Sequence, residues 1–327
     1  MTMIRQEAWG SFGDEAQGET AEEVCKNAGL DFTANLEPLY DKRGTMLTHK
    51  HRGVFRDDTN ECIGVVGKSY HVKQHVDVAN LAHELTGTGL LEWNRVGHTN
   101  NGARAWFNLA LPDEVVINGN EPIQTYMTLM NSHDGSSGIR VIPQTFRMTC
   151  GNQYNMMLRD AKAKNGLFVI RHTSRMDDAI AQMKQAIGMT NVMMDEWAKQ
   201  AQGMMEVDMD IGERVQFYLD HLPIVQKPDM MKGGKDYDPN NPFGLATRGK
   251  NILDVVLGLE EQEQNQVGGM DGTLWQAVNV ISDFIDHDWV TTKDVKVNEK
   301  RAESAIVGTG QRIKGKAWED AMARVVA

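Results

Sequence analysis

Basic and aromatic side chains interleave in two stretches of this chain. Trp93, Arg95, Arg104 and Trp106 form the first stretch, and 140–171 is a longer second one. Cations that follow phosphates and flat rings that accept stacked bases are what a single-stranded nucleic acid requires. The pattern predicts five phosphate contacts and two stacking surfaces, which are Arg140, Arg147, Arg159, Lys162 and Arg171 for the phosphates and Trp106 and Tyr154 for the bases.

The spacing of two of these arginines constrains how they can act. Arg140 and Arg147 are seven positions apart in a segment that is typical of a strand. Side chains alternate between the faces of a strand, so an odd separation places them on opposite faces. Only a bulge near Pro143 would align them on one face.

A compact polar run, His133-Asp134-Gly135-Ser136-Ser137, brings together a base, an acid and two hydroxyls. One interpretation is an enzyme of a mobile element whose site centres on His133, Asp134 and Arg147. Triad members, however, are brought together by the fold and not by adjacency in sequence, and no Gly-x-Ser-x-Gly motif is present. Asp, Gly and Ser also favour tight turns, and backbone amides in such a turn can hold a phosphate.

Two further patterns resemble cofactor motifs without completing them. His71 and His75 are four apart, as metal ligands on one helix face would be, but the His-Glu-x-x-His order is absent. Gly310 and the pair Gly315-Lys316 have the spacing of a phosphate loop, yet Ala317 follows where magnesium needs a hydroxyl. We therefore expect no metal, no cofactor and no catalytic residue.

The net charge of −11 over 327 residues argues, by itself, against a polyanionic partner. The distribution of the charged residues along the chain reverses this argument. Residues 1–37 hold two basic and eight acidic residues, whereas 42–56 holds five basic residues and no acid, and 135–175 holds seven basic residues and one acid. The middle of the chain is basic, which fits either a nucleic-acid surface or a solvated face.

Three cysteines at wide spacing predict neither a disulfide framework nor a thiolate metal site, which favours a reducing compartment. No apolar run approaches the roughly 20 residues that span a bilayer, and the start of the chain lacks the order of a signal peptide. We expect a cytoplasmic protein of the host cell that does not enter a membrane.

The order of elements predicts three regions. Residues 1–37 resemble a loosely attached acidic arm with one short helix, because Thr20 and Glu23 have capping-box spacing. Residues 38–175 are expected to form a basic α+β core, with hairpins around Asp57-Asp58-Thr59-Asn60 and Asn100-Asn101-Gly102, further strands at 122–131 and 139–149, and a helix at 72–86.

From Gly151 onward the apolar spacing is that of helices. A basic helix is predicted at 151–164, and a Met- and Trp-rich stripe from Met176 to Ala201 predicts a long helix that packs in the core or against another subunit. Residues 226–250 read as a long loop and 259–272 as an acidic linker, before helices resume at 273–286 and near the end. The predicted fold class is α+β, an antiparallel sheet core with packed helices followed by the helical region 176–327.

Several runs of residues resemble a known family. From about Leu30 to Gln311 the chain resembles the phage/plasmid-like protein family, which is also catalogued as a domain of unknown function. This resemblance implies a mobile-element setting without an established activity. The runs that carry it are Ile63-Gly64-Val65-Val66-Gly67-Lys68-Ser69-Tyr70, Asn131-Ser132-His133-Asp134-Gly135-Ser136-Ser137, Arg147-Met148-Thr149-Cys150-Gly151-Asn152, Ile170-Arg171-His172-Thr173 and Gly308-Thr309-Gly310.

The layout also resembles the β-β-β-α core of Rad-type single-strand annealing proteins, in pattern and not in shared letters. The matching segments are 81–93, 103–111, 126–131 and 151–164, while the strand at 139–149 is extra. This resemblance implies homo-oligomers that bind single-stranded DNA along a basic groove and anneal it without ATP. A non-enzymatic, strand-annealing recombination protein of a phage or plasmid is the leading hypothesis. The alternatives are the mobile-element enzyme and a protein that interacts with partners or blocks host defence through its helical half.

Overall fold

A computed structural model describes residues 13–87, 89, 91–117, 121–147, 153–154, 168–170, 196–266, 269–289, 304 and 308–326. Strands dominate up to residue 170. The elements of this part are β1 (Asp14–Glu15), α1 (Ala21–Asn27), β2 (Ala34–Glu37), β3 (His51–Arg56), β4 (Cys62–Gly67), α2 (His75–Thr86), β5 (Glu92–Thr99), β6 (Arg104–Ile117), β7 (Glu121–Ser132), β8 (Ile139–Arg147), β9 (Gln153–Tyr154) and β10 (Phe168–Ile170).

The strands form two antiparallel sheets. A seven-stranded sheet has the order β1-β5-β6-β7-β8-β10, with β9 also paired to β8, and a three-stranded sheet has the order β2-β3-β4. Neighbours along the chain pair directly from β5 to β8, as expected of hairpin connections. The predicted α+β class with an antiparallel sheet core is confirmed.

Turn chemistry explains where the strands reverse. Asn100 and Asn101 have positive φ angles of 52° and 57°, and Gly102 follows with 83°. Asparagine and glycine tolerate this left-handed region better than other residues, which makes the run a natural hairpin turn between β5 and β6. The predicted hairpin is confirmed, and so is the β3–β4 hairpin around 57–60.

From Ala21 to Glu37, the acidic segment is part of the folded core. Helix α1 begins as predicted, with the Thr20 hydroxyl accepting a hydrogen bond from the Glu23 amide at 3.2 Å. Its apolar side, Val24 and Cys25, is buried, as is Phe32 beyond it. The expectation of a loosely attached arm is therefore wrong for residues 21–37, because apolar positions between the acids supply core contacts.

Helix α2 packs against α1 and against strands β5, β6 and β7 of the large sheet. Val78, Leu81 and Leu85 are buried in the same cluster as Phe107 and Leu129 of the large sheet. The Gln74 side chain, at the start of α2, both donates to the Ala34 carbonyl at 3.0 Å and accepts from the Ala34 amide at 2.9 Å. This pair of bonds fixes β2 to the helix.

From residue 196 onward, the described residues are mainly helical. Residues 196–205 are helical and form α3, which overlaps the end of the stripe that predicted a long helix. The expected beginning of that helix lies outside the described residues. The following elements are α4 (Ile211–His221), a 3₁₀ turn (Pro228–Met230), α5 (Thr247–Glu260), a 3₁₀ turn (Glu263–Asn265), α6 (Leu274–Asp283), a π-helical turn (Phe284–Asp288) and α7 (Thr309–Val326).

A second hydrophobic core lies between these helices. Trp197 stacks on Trp318 with ring centroids 5.8 Å apart, and Trp275 meets both rings edge-on. The described end of the Met and Trp stripe therefore packs within the chain. The predicted long loop is confirmed at 226–246, but the expected acidic linker is wrong, because Leu259, Asn265 and Met270 are buried.

Among the helices that the structure describes, none is both long enough and apolar enough to cross a bilayer. The region boundaries at residues 37 and 175 stay predictions.

Candidate nucleic-acid interface

Three arginines occupy one face of the seven-stranded sheet. Trp106 on β6 pairs with Met130 on β7, which pairs with Arg140 on β8. Paired residues of antiparallel strands share a face, and so do residues two apart along a strand. Arg104 is two positions before Trp106, and Arg95 pairs with Asn108 two positions after it. We call the side that carries Arg95, Arg104 and Arg140 the arginine face.

Arg140 is the unusual member of this face. Its side chain is half-buried, and its Nε is buried with no hydrogen-bond acceptor. Burial lowers the pKa of the Arg140 guanidinium from its usual value, and no carboxylate among the described residues forms an ion pair with it. A partly desolvated cation without a counter-charge favours binding of an anion, because an anion would supply both acceptor and charge.

The other two arginines are engaged by the protein. Arg104 Nε donates to Asp134 Oδ2 at 2.6 Å. Arg95 Nη1 donates to the Gly13 carbonyl at 2.8 Å, and burial lowers the pKa of its guanidinium too. Both belong to the stretch of alternating basic and aromatic residues, although the predicted set of phosphate ligands does not include them. The alternation of Arg95, Arg104 and Trp106 was the available signal.

Trp106 is on the arginine face but is only 3% exposed. Its indole lies over Gly97 of the neighbouring strand, where an added Cβ would come within 2.7 Å of the ring. Tyr126, on the same face, is 5% exposed. The prediction that Trp106 offers a stacking surface is therefore wrong for this conformation, because its ring faces are covered by packing.

Arg147 and Arg140 are on opposite faces of β8. The register with β7 runs without a shift from Met130–Arg140 to Ile123–Arg147, and Pro143 pairs with Met127. The bulge that would have aligned the two positions is absent from this strand. A single groove on one face cannot use both arginines while β8 keeps this pairing.

Tyr154 lies in β9, where it pairs with Thr145 of β8. The prediction of a helix that begins directly after Gly151 is therefore wrong at 153–154. Pairing of these residues with the edge of the sheet overrides the helical spacing of the apolar residues. The remaining candidate phosphate ligands, Arg159, Lys162 and Arg171, lie outside the described residues and stay predictions.

The polar run 133–137 forms the turn between β7 and β8. His133 is fully buried, and its backbone amide donates to the Ala103 carbonyl at 2.6 Å. One carboxylate oxygen of Asp134 accepts a hydrogen bond from Arg104 Nε, and the other accepts one from the Ser136 backbone amide at 2.9 Å. Gly135 has a φ of 75°. These contacts are those of a structural turn, and the buried His133 imidazole has no route to a substrate here.

His75 belongs to a buried polar cluster under the same turn. Its Nε2 is 2.7 Å from the Gly102 carbonyl, which only accepts, so Nε2 carries the proton. Its Nδ1 then accepts from Nδ2 of the Asn131 side chain at 3.1 Å. The His75 ring also meets the His133 ring edge-on at 4.1 Å. His71 is exposed. His71 and His75 therefore do not come together as two metal ligands would.

The phosphate-loop spacing at 310–316 falls inside helix α7. Gly310 is helical, and the Lys314 ammonium is buried against Asp286 Oδ1 at 2.7 Å. A helix at this position excludes the strand–loop–helix geometry of a nucleotide phosphate loop. Within the described part of the chain, no cluster of three or more His, Cys, Asp or Glu side chains could hold a metal ion.

The fold and this face define the class of protein: an α+β chain with an arginine-bearing antiparallel sheet backed by helices, followed by a helical region. A family model described as Domain of unknown function (DUF932) matches residues 62–306. This match covers most of the chain, and the protein belongs to that family. No curated protein and no solved structure matches the chain significantly.

Proposed function

We propose that this protein binds single-stranded DNA through the phosphates, with Arg140 as a central contact, and anneals complementary strands. The environment of Arg140 carries the proposal. Its half-buried guanidinium has a buried Nε without an acceptor, and a phosphate oxygen would satisfy that donor. A backbone phosphate is common to every nucleotide, so binding through this contact is independent of sequence.

The role in annealing draws on the layout of the chain. Helix α2 precedes three consecutive antiparallel strands, β5 to β7, and this order resembles the core of Rad-type annealing proteins. The additional strand β8, which carries Arg140, is the difference from that pattern. We extend the proposal to a phage or plasmid origin, which the family resemblance implies, and to assembly of several copies, which the layout resemblance implies.

The first experiment is a gel shift with single- and double-stranded oligonucleotides in chelator and without nucleotide. We expect the single strand to bind under these conditions, because the described residues complete neither a metal site nor a phosphate loop. A stoichiometric metal that is essential for activity would instead favour the mobile-element enzyme.

A paired charge reversal tests the predicted ligands beyond the described residues. Arg159→Glu with Lys162→Glu should weaken binding sharply and lower the salt slope, by about 0.7 for each lost contact to a single strand. Lys232→Glu with Lys235→Glu reverses the same charge on exposed positions of the 226–246 loop. Equal losses of affinity in both variants would show that the effect arises from net charge alone.

Annealing is measured separately, by fluorescence quenching as two labelled complementary strands pair. We expect acceleration without ATP, together with a multimeric mass by light scattering. A strictly monomeric mass at high concentration, with and without DNA, would contradict the annealing role while leaving single-strand binding to be judged by the gel shift.

A further inference from the structure

The β7–β8 turn lies against β4, the last strand of the three-stranded sheet. A Cβ added to Gly64 would be only 2.5 Å from the His133 carbonyl oxygen, so the missing side chain permits this close approach. Further along the turn, a Cβ on Gly135 would be 3.2 Å from Val66 Cγ1. Gly64 and Val66 are on the face of the sheet that carries buried Val54, so the turn packs on this inner face.

The segment after β4 holds the same turn. The Tyr70 hydroxyl donates to the Ser132 carbonyl at 2.6 Å, and the Ser132 hydroxyl oxygen accepts from the Ser137 amide at 3.2 Å. These bonds join the segment that follows the strand to both ends of the turn. The position of the turn relative to the three-stranded sheet is therefore fixed.

Three cations lie on the same inner face. Arg52 of β3 pairs with Val66. Beyond the last paired residues, the ladder continues with a hydrogen bond from the Lys68 amide to the Lys50 carbonyl at 3.0 Å, so the two lysines are opposite each other. Side chains two positions apart along a strand share a face, which places Lys50 and Lys68 on the face of Arg52. We call Lys50, Arg52 and Lys68 the cation cluster.

The cation cluster has no counter-charge within the described part of the chain. Lys50 and Lys68 are exposed, whereas Arg52 is half-buried and its Nη1 is buried without an acceptor. None of the three side chains forms an ion pair with another described residue. A buried donor that lacks an acceptor favours an anion, because the anion supplies both the acceptor and the opposite charge.

The described acids of this region are committed elsewhere. Asp134, in the turn itself, accepts from Arg104 Nε at 2.6 Å, and this ion pair balances its charge. Glu37 of β2 pairs with Gly53 and therefore lies on the opposite face of the three-stranded sheet. The acids at 57–61 are at the other end of β3 and β4. The cation cluster thus keeps its positive charge.

The turn lies between this cluster and the arginine face. Asp134 contacts Arg104 of the arginine face, while Gly135 lies next to Val66, the residue that pairs with Arg52. Cations therefore flank the turn on both sides. A strand that follows these cations would cross the turn.

We propose that the cation cluster is a second phosphate site, which binds further phosphates of the strand that Arg140 contacts. This inference rests on the proposed function and extends its binding site across the β7–β8 turn. A single strand carries a phosphate at every nucleotide, so cations placed along one path bind successive phosphates. Arg52 supplies a partly desolvated donor, and the two lysines supply compact charges. These contacts are independent of base identity.

The test is fluorescence anisotropy of a labelled thymidine oligonucleotide of about 20 nucleotides across a salt series. Lys50→Met with Lys68→Met should make the dependence of log K on log salt shallower by about 1.4, because each lost contact to a single strand removes about 0.7. Both lysines are exposed, so the fold should be retained. Lys232→Met with Lys235→Met, in the 226–246 loop, is the matched control and should keep the wild-type slope. Equal changes in both variants would assign the effect to net charge and overturn the inference.

Arg52→Met removes the guanidinium and keeps an unbranched apolar stem. We expect roughly 10- to 150-fold weaker binding, the range for loss of a hydrogen bond to a charged group. Arg52→Lys keeps the charge and should retain most of the salt slope. Urea unfolding shows whether each variant is folded, and the exposed lysine pair decides alone if Arg52→Met is not. Lower stability of Arg52→Met with unchanged oligonucleotide affinity would make Arg52 a structural residue and overturn the inference.

Arg140→Met separates this inference from the proposed function. We expect it to weaken binding, as the variants of the cation cluster do. Weaker binding in Arg140→Met, with wild-type affinity and slope in the cluster variants, would overturn the second phosphate site and leave the arginine face. Weaker binding in the cluster variants, with no effect of Arg140→Met, would support the second phosphate site and refute the central role of Arg140.

A free nucleotide carries the same phosphate group, and calorimetry with thymidine monophosphate tests this source. We expect it to bind much more weakly than the oligonucleotide, because one phosphate gains none of the linked contacts on the arginine face. Tight binding of thymidine monophosphate that Arg52→Met removes, with unchanged oligonucleotide affinity, would overturn the assignment to a strand. Displacement of the oligonucleotide by polyglutamate as effectively as by unlabelled oligonucleotide would overturn the assignment to phosphate.

Discussion

Arg140→Met should separate the stability of this protein from its affinity for DNA. Methionine keeps an unbranched apolar stem of similar reach and removes the guanidinium, whose buried Nε lacks an acceptor. An unsatisfied buried donor costs about 1–3 kcal/mol, and part of that cost is relieved when the donor is deleted. Because the side chain is only half-buried, we expect the free energy of unfolding to stay equal or rise by up to about 1 kcal/mol.

Affinity for a single strand should change in the opposite direction. A hydrogen bond to a charged group contributes about 1.5–3 kcal/mol, so its loss corresponds to roughly 10- to 150-fold weaker binding. The dependence of log K on log salt should become shallower by about 0.7, because one phosphate contact fewer releases fewer counterions. Arg140→Lys keeps the charge and should preserve most of that slope while losing some affinity.

The assays are urea unfolding of each free protein and fluorescence anisotropy of a labelled thymidine oligonucleotide across a salt series. Lys235→Met removes one charge from a side chain that is 74% exposed and should leave both quantities almost unchanged. A loss of more than about 2 kcal/mol in stability with unaltered DNA affinity would refute the reasoning. Arg140 would then be a structural residue, held by the sheet for packing.

Three further outcomes follow from buried groups. Burial raises the pKa of the Cys25 thiol to about 12, so iodoacetamide should alkylate exposed Cys62 and spare Cys25, as peptide mass spectrometry would reveal. Burial lowers the pKa of His221, so the stability present above its unfolded pKa of about 6.5 is lost as pH falls through the folded value. His221→Gln should reduce that loss in urea titrations on both sides of this pH. Lys314→Met leaves the buried Asp286 carboxylate without the ammonium group that pairs with it, and should lower the free energy of unfolding by about 3–5 kcal/mol. Adding Asp286→Asn should restore part of this loss. The absence of coupling between the two substitutions in a double-mutant cycle would contradict this prediction.

The sequence by itself determined the local elements. Period-two alternation predicted the strands from 51 onward, and Asn100-Asn101-Gly102 fixed the β5–β6 hairpin, since these residues accept positive φ angles. The capping spacing of Thr20 and Glu23 predicted the start of α1. Such features depend on neighbouring residues alone, so no long-range information is needed to read them.

The tertiary structure decided which of the candidate side chains are accessible. Alternation placed Trp106 and Arg104 on one face, but only the packing of β5 against β6 buries the indole over Gly97. Likewise, the pairing of β8 with β7 keeps Arg140 and Arg147 on opposite faces, and the contact with Arg104 commits Asp134 to a structural turn. Burial and pairing arise between segments far apart in the chain, and a local pattern fixes the face of a residue without fixing what covers that face.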